Sequence, residues 1–117
     1  MKERKSHSSD RVSGDELVRI LAALANPHRL RILAALGQGR IHVSRLAREV
    51  RLSRPLVHMH LQRLEAAGLV RGHLELSEEG KAMKFFEVNP FVLRLTPDLL
   101  AKAAETLSTE PKKEEGQ

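Results

Sequence analysis

The sequence predicts a mainly helical chain closed by one small β-hairpin, an α+β fold. Three observations predict it. Apolar residues recur at i, i+3, i+4 and i+7 in successive segments up to residue 67, the period of a helix with one buried face. Beyond Gly68 the period changes to two, which is the period of a strand. The segments are separated by Asn-Pro, by closely spaced glycines and by a Ser-Arg-Pro step, all of which start or stop regular structure.

The first helix is expected over 15–25. Leu17, Ile20, Leu21 and Leu24 make one stripe, and Val18, Ala22 and Ala25 make a second beside it. A helix apolar on nearly all sides must be covered on two of them. The core of so short a chain offers one cover, so a partner subunit is expected as the other. Asn26-Pro27 stops this helix and starts the next, since Pro suits a first turn. Leu30, Ile32, Leu33, Ala34 and Leu36 are expected to be buried there, with Gly37 and Gly39 ending the helix. Val43, Leu46, Ala47 and Val50 define a short third helix. Residues 51–53 are a three-residue turn. Ser53 then caps a fourth helix, with Pro55 in its first turn and Gly68 just past its end.

In the strand region Val70, Leu74 and Leu76 alternate with Arg71, His73 and Glu75. After a turn at 77–81, Ala82, Phe86 and Val88 alternate with Met83, Phe85 and Glu87. Two such runs joined by a short Gly-containing loop make a hairpin. Phe85, Phe86 and Phe91 are expected in the core. Asn89-Pro90 closes the hairpin, Phe91, Leu93 and Leu95 continue extended, and a last helix opens at Thr96 or Pro97 with Leu100, Ala103, Ala104 and Leu107 on one face. Residues 1–14 and 108–117 are polar and read as a disordered basic arm and a disordered tail around one domain, 15–107.

Composition removes several functions. The chain has 117 residues and no Cys, so disulfides, thiolate nucleophiles and Cys-bound metals are excluded. No apolar stretch approaches the ~20 residues of a bilayer span, and the first sixteen residues lack the apolar middle of a secretory signal. A cytoplasmic protein without a membrane partner is expected. No catalytic triad spacing, Gly-rich phosphate loop or paired carboxylate site is visible, so no enzyme is expected. The net charge is +5, and residues 40–63 concentrate six Arg against the single acid Glu49. Charge localised in this way is a footprint for a polyanion. Readers of single-stranded RNA use exposed aromatics, yet there is no Tyr or Trp. Double-stranded DNA is the expected partner.

Two helices joined by a three-residue turn and carrying the basic cluster fit a helix-turn-helix whose second member enters the major groove. The hairpin adds a wing. The expected architecture is therefore a winged helix-turn-helix with added N- and C-terminal dimerisation helices. At 100° per residue, Val57, Leu61 and Leu64 of the fourth helix face the core, and Pro55, Met59, Gln62 and Ala66 face out, flanked by Leu56, Arg63 and His58. Gln62 can pair with adenine, whereas Met59 and Leu56 can touch only apolar base edges. Arg45, Arg48, Arg51, Arg54 and Arg63 are placed for phosphates. Ser44, Ser53 and the wing's Arg71, Lys81 and Lys84 complete the expected DNA set. The wing tip is acidic, with Glu78 and Glu79 near Glu75, so deep minor-groove insertion is not expected; a winged helix that docks a protein instead of DNA is the alternative. The homodimer is expected to pair through Leu17, Val18, Leu21, Ala22, Leu100, Ala103 and Leu107.

The stretches LANPHRLRILAAL (24–36) and VSRLAREVRLSRPLVHMHLQRLEAAGLV (43–70) resemble the ArsR-type winged-helix transcriptional regulators. The shared features are Pro27, Arg29, Leu30, Ile32 and Leu33 in the second helix, then Leu52 and Ser53 in the turn. Val57, His60 and Leu61 follow in the recognition helix, and Leu64, Ala67, Gly68, Leu69 and Val70 at its exit. The resemblance covers about 70 residues and implies a homodimer that binds operator DNA and represses transcription, paired through its first and last helices. Metal-sensing members place a Cys-x-Cys pair where this chain has His42 and Ser44. Another subset uses Asp, His and Glu on the last helix, where this chain has Asp98 and Glu105 but no His. His58 and His60 diverge by about 200° on a helix, His28 and His42 stand alone, and His60 reads as half-buried. No metal and no cofactor are expected, and the residues name no effector.

Overall fold

The computed structural model describes residues 12–108 and the two-residue strand His7–Ser8, here β1. Helix α1 spans Gly14–Leu24, with the Ser13 hydroxyl accepting from the Glu16 N–H at its N-terminus. Helix α2 spans Pro27–Leu36; the Asn26 side chain accepts from the N–H groups of His28 and Arg29, and Pro27 sits in the first turn. A short strand β2, Ile41–His42, leads into α3, Val43–Val50. His42 caps α3, its Nδ1 accepting from the Arg45 N–H at 3.3 Å. Helix α4, Arg54–Ala66, is capped by Ser53 and left through Gly68 at φ +78°. That positive φ lets the Leu69 N–H reach the Leu64 carbonyl and turn the chain sharply into the sheet.

Strands β3, Val70–Leu76, and β4, Ala82–Val88, form the expected hairpin, with Gly72 opposite Phe86 and Leu76 opposite Ala82. Strand β2 adds to the other edge of β4, giving the order β2-β4-β3. Strand β5, Phe91–Val92, pairs in parallel with β1, and α5, Pro97–Glu105, ends the described chain. The strand at His7–Ser8 and the start of α1 at Gly14 thus fall inside the stretch expected to be a disordered arm; the rest of that arm up to residue 11, and the tail beyond Ser108, lie outside the described residues.

The core gathers Ile20, Ile32, Leu36, Leu46, Val57, Leu61, Leu64, Leu69, Val70 and Phe86 from α1 to α4 and the base of the hairpin. Several expected core residues are not in it. Leu30 is 54% exposed and Ala34 is exposed, so α2 buries only its Ile32 and Leu36 edge fully. Leu74 and Leu76, expected only as one side of the strand alternation, are 66% and 74% exposed, because burial falls along β3 as the hairpin leaves the helices. Phe85 lies on the face of the sheet opposite Phe86 and is half-buried; His73 stacks on it, His42 meets its edge, and the Arg40 guanidinium lies 4.7 Å from its centre. His60 is buried outright, at 5% exposure. Among the described residues no helix is long and apolar enough to cross a membrane.

Candidate nucleic-acid interface

The turn between α3 and α4 is built on Arg51, which takes φ +60° and ψ +46°, a left-handed conformation usually left to Gly. Its N–H closes α3 on the Ala47 carbonyl. Arg48, Arg51 and Arg54 are all exposed around this turn, and Arg51 also lines a cleft with Arg31 and Glu49. Arg54 reaches back across the turn, its Nη1 donating to the Ser44 hydroxyl at 3.0 Å. Beside that contact an open cleft of about 330 Å³ runs between the two helices and the hairpin tip, lined among others by Ser44, Arg54, His58, Lys81 and Lys84. Five of the expected DNA-facing residues therefore share one concave, basic surface. The outer side of α4 is open next to it: Pro55, Leu56, Met59 and Gln62 are all exposed. Ser53 points its hydroxyl at the Leu56 N–H as the α4 cap.

Three expected DNA contacts are placed differently. Arg71 lies near the base of the hairpin, where Glu87 at 3.1 Å and the Asn89 side chain hold it, away from the tip. Arg45 pairs with Glu49 at 2.9 Å, one turn along α3, which offsets its charge. Arg63 lies nine residues beyond Arg54, about 13 Å along the helix, and lines a separate cleft with Arg19 and Arg29. The wing's acidity is also reduced, since Glu75 takes two hydrogen bonds from Arg40 and one contact from His73, each at 2.9 Å.

His60 faces away from this surface. Its Nδ1 accepts from Arg29 Nε at 3.1 Å, and its ring lies 5.6 Å from that of His28. Burial, with the positive charges of Arg29, His28 and Arg63, lowers its pKa below the usual histidine value. His42 commits its Nδ1 to the α3 cap. Among the described residues no three His, Asp or Glu side chains are grouped to hold a metal ion.

Helix α5 packs on α1 at Gly14, where the Ala103 carbonyl and the Leu107 side chain leave no room for a Cβ, and the Gly14 N–H donates to Thr106 Oγ1 at 2.6 Å. Leu17 is already 3% exposed within the single chain, so it is sealed internally and not available to a partner. Val18, Leu100 and Leu107 remain exposed, with Ala22; Leu21 and Ala103 are half-buried.

A family model described as a helix-turn-helix domain matches residues 24–73. An uncharacterized HTH-type transcriptional regulator of Methanocaldococcus jannaschii is 34% identical over 90 residues, which are 77% of this chain and 94% of the relative. An ArsR-like transcriptional regulator from Rhodococcus sp. RHA1 superposes with a TM-score of 0.55 at 28% identity, over 79% of this chain and 76% of that one. The chain belongs to the ArsR-type helix-turn-helix regulators. The homodimeric winged helix-turn-helix DNA-binding domain of a Mycobacterium bovis protein, described as a possible ArsR-family transcriptional regulator, also superposes. Its TM-score is 0.58 at 26% identity, over 78% of this chain and 74% of that one. In this ArsR-type chain the matched model runs from the end of α1 through the first half of β3, so it contains the whole α3-turn-α4 unit. Sequence reasoning missed the His42 cap, the Arg40–Glu75 pair and the Arg29–His60 bond. The last two join residues 35 and 31 positions apart, a separation at which no sequence period signals contact.

Proposed function

We propose that this protein is a dimeric repressor that grips duplex DNA chiefly through backbone phosphates and reads few bases from α4. The observation that carries this reading is the concave surface lined by Ser44, Arg54, His58, Lys81 and Lys84 beside the exposed N-terminal half of α4. Guanidinium and ammonium groups there neutralise phosphates and release counterions. On the open side of α4 only Gln62 offers a bidentate pattern to a base edge, while Leu56 and Met59 offer apolar contact to a thymine methyl. Subunit pairing is supported by the apolar residues Val18, Leu100 and Leu107, which α1 and α5 leave exposed, and by the homodimeric state of the Mycobacterium bovis domain. Two-fold symmetry then sets half-sites about ten base pairs apart, or a multiple of that. Footprinting of protein-bound genomic DNA tests the proposal. Protection of two symmetric half-sites upstream of a gene is expected; uniform low-level protection with no preferred site contradicts it.

A further inference from the structure

Three arginines from three helices line one cleft beside the C-terminal half of α4: Arg19 of α1, Arg29 of α2 and Arg63 of α4. They line a cleft of about 240 Å³ whose other lining residues are Ala22, Ala23 and Ala66. No acidic residue lines it. Three other arginines are paired with acids, Arg40 with Glu75, Arg45 with Glu49 and Arg71 with Glu87, whereas the exposed Arg48, Arg51 and Arg54 are not, among the described residues. Among the described residues Arg19, Arg29 and Arg63 likewise sit in no ion pair. Asp15, one turn before Arg19, feels its charge but makes no ion pair with it; its carboxylate accepts from the Ser108 N–H.

Arg29 is held in place. Its Nε donates to His60, and its Nη1 donates to the carbonyls of Ala22 and Ala23 at 3.3 and 3.2 Å. None of these bonds uses Nη2. Burial, with the charges of Arg29, His28 and Arg63, keeps His60 neutral. Converging guanidiniums repel one another, and an anion between them removes that cost. Guanidinium forks suit the oxygens of a carboxylate or phosphate, and the alanine walls accept a short apolar body.

We infer that this cleft binds a small organic oxyanion, a carboxylate or phosphate monoester, that acts as an effector of DNA binding. The inference rests on the regulator reading above. An anion shared by Arg63 with Arg19 and Arg29 ties the C-terminal half of α4 to α1 and α2. Any difference in its affinity between the free and DNA-bound arrangements of α4 becomes a change in DNA affinity of the same size. Ala22 lies on the exposed face of α1, so an occupant also touches the edge of the proposed subunit contact.

The test uses the full chain with inorganic phosphate and phosphoglycolate as probes, first without DNA. Arginine Nε–H resonances are followed by NMR. The expected result is a saturable shift confined to Arg19, Arg29 and Arg63, with a Kd of about 1 mM or tighter for phosphoglycolate. Arg19→Gln and Arg63→Gln, both exposed and safe for folding, should each weaken it about tenfold, the scale of one lost charge-assisted pair. Arg31→Gln should leave it unchanged. Saturating phosphoglycolate should then change the affinity for duplex DNA. Shifts spread without saturation over all arginines would overturn the inference. So would an Arg63→Gln variant that loses duplex affinity while wild type ignores both free anions, because the cleft would then serve a DNA phosphate. Since the first titration contains no DNA, failure of the regulator reading cannot be mistaken for failure of this one.

Discussion

Arg29 donates from Nε to Nδ1 of His60 at 3.1 Å, and the same guanidinium caps the last carbonyls of α1 at Ala22 and Ala23. One side chain on α2 thereby fixes α1 and the recognition helix α4 relative to each other. The bond requires Nδ1 of His60 to carry no proton.

Acid should therefore loosen the helical layer. The folded protein lowers the pKa of His60 below its ordinary value of 6.5, mainly through burial. The unfolded chain then binds the proton more readily, so stability rises with pH across this range. The contribution is complete above the unfolded value and is lost as pH falls through the lower folded one. Denaturation midpoints measured from about pH 7 down to about pH 5 should fall, and His60→Asn, whose amide oxygen can accept from Arg29 without titrating, should flatten the trend. Equal slopes for the two proteins would contradict this account of His60.

Arg51 combines a strained backbone with an exposed charge proposed to contact DNA. Left-handed φ in a residue with a Cβ costs about 1–2 kcal/mol, of which the greater freedom of unfolded Gly takes back about half. Arg51→Gly should then raise stability by about 0.5–1 kcal/mol while weakening duplex binding. Denaturation and binding measured on the same variant check both halves. Loss of stability in Arg51→Gly would show that the side chain supports the turn.

The subunit contact is proposed around Val18 of α1 and Leu100 of α5, 55% and 45% exposed in the single chain. Val18→Glu or Leu100→Glu would bury an unpaired carboxylate at that contact and should yield monomers. Sedimentation should give a dimer for the unmodified chain at micromolar concentration; a stable monomer would contradict the pairing.

Base reading should depend on Gln62. Gln62→Ala should erode preference by about 1–3 kcal/mol at one base pair and leave binding to random duplex nearly unchanged. A uniform loss on all sequences would place Gln62 on the backbone instead.

The helices and the hairpin were readable because each carries a long hydrophobic period and its own stop signals. Ser53, Pro55 and Gly68 stand at α4 where capping chemistry requires them. Periodicity identifies an apolar face but not how far the layer covering it extends. For that reason Leu30 and Ala34 are expected in the core and are exposed. Strand β2 has two residues, too few for any period. For the site, the arginine cluster was visible as charge in sequence. Its subdivision depends on contacts that form only after folding: Glu87 takes Arg71, Glu49 takes Arg45, and the crossing of α1 and α2 over α4 gives Arg63 different neighbours.

The central claim, a phosphate-dominated grip on duplex DNA, is tested most directly by binding titrations on a short duplex across a salt series. With about 6–10 phosphate contacts in the dimer, affinity should fall about 10³- to 10⁵-fold between about 50 and 200 mM salt, linearly on logarithmic axes. A flat salt response, or no duplex binding at low salt, would contradict it.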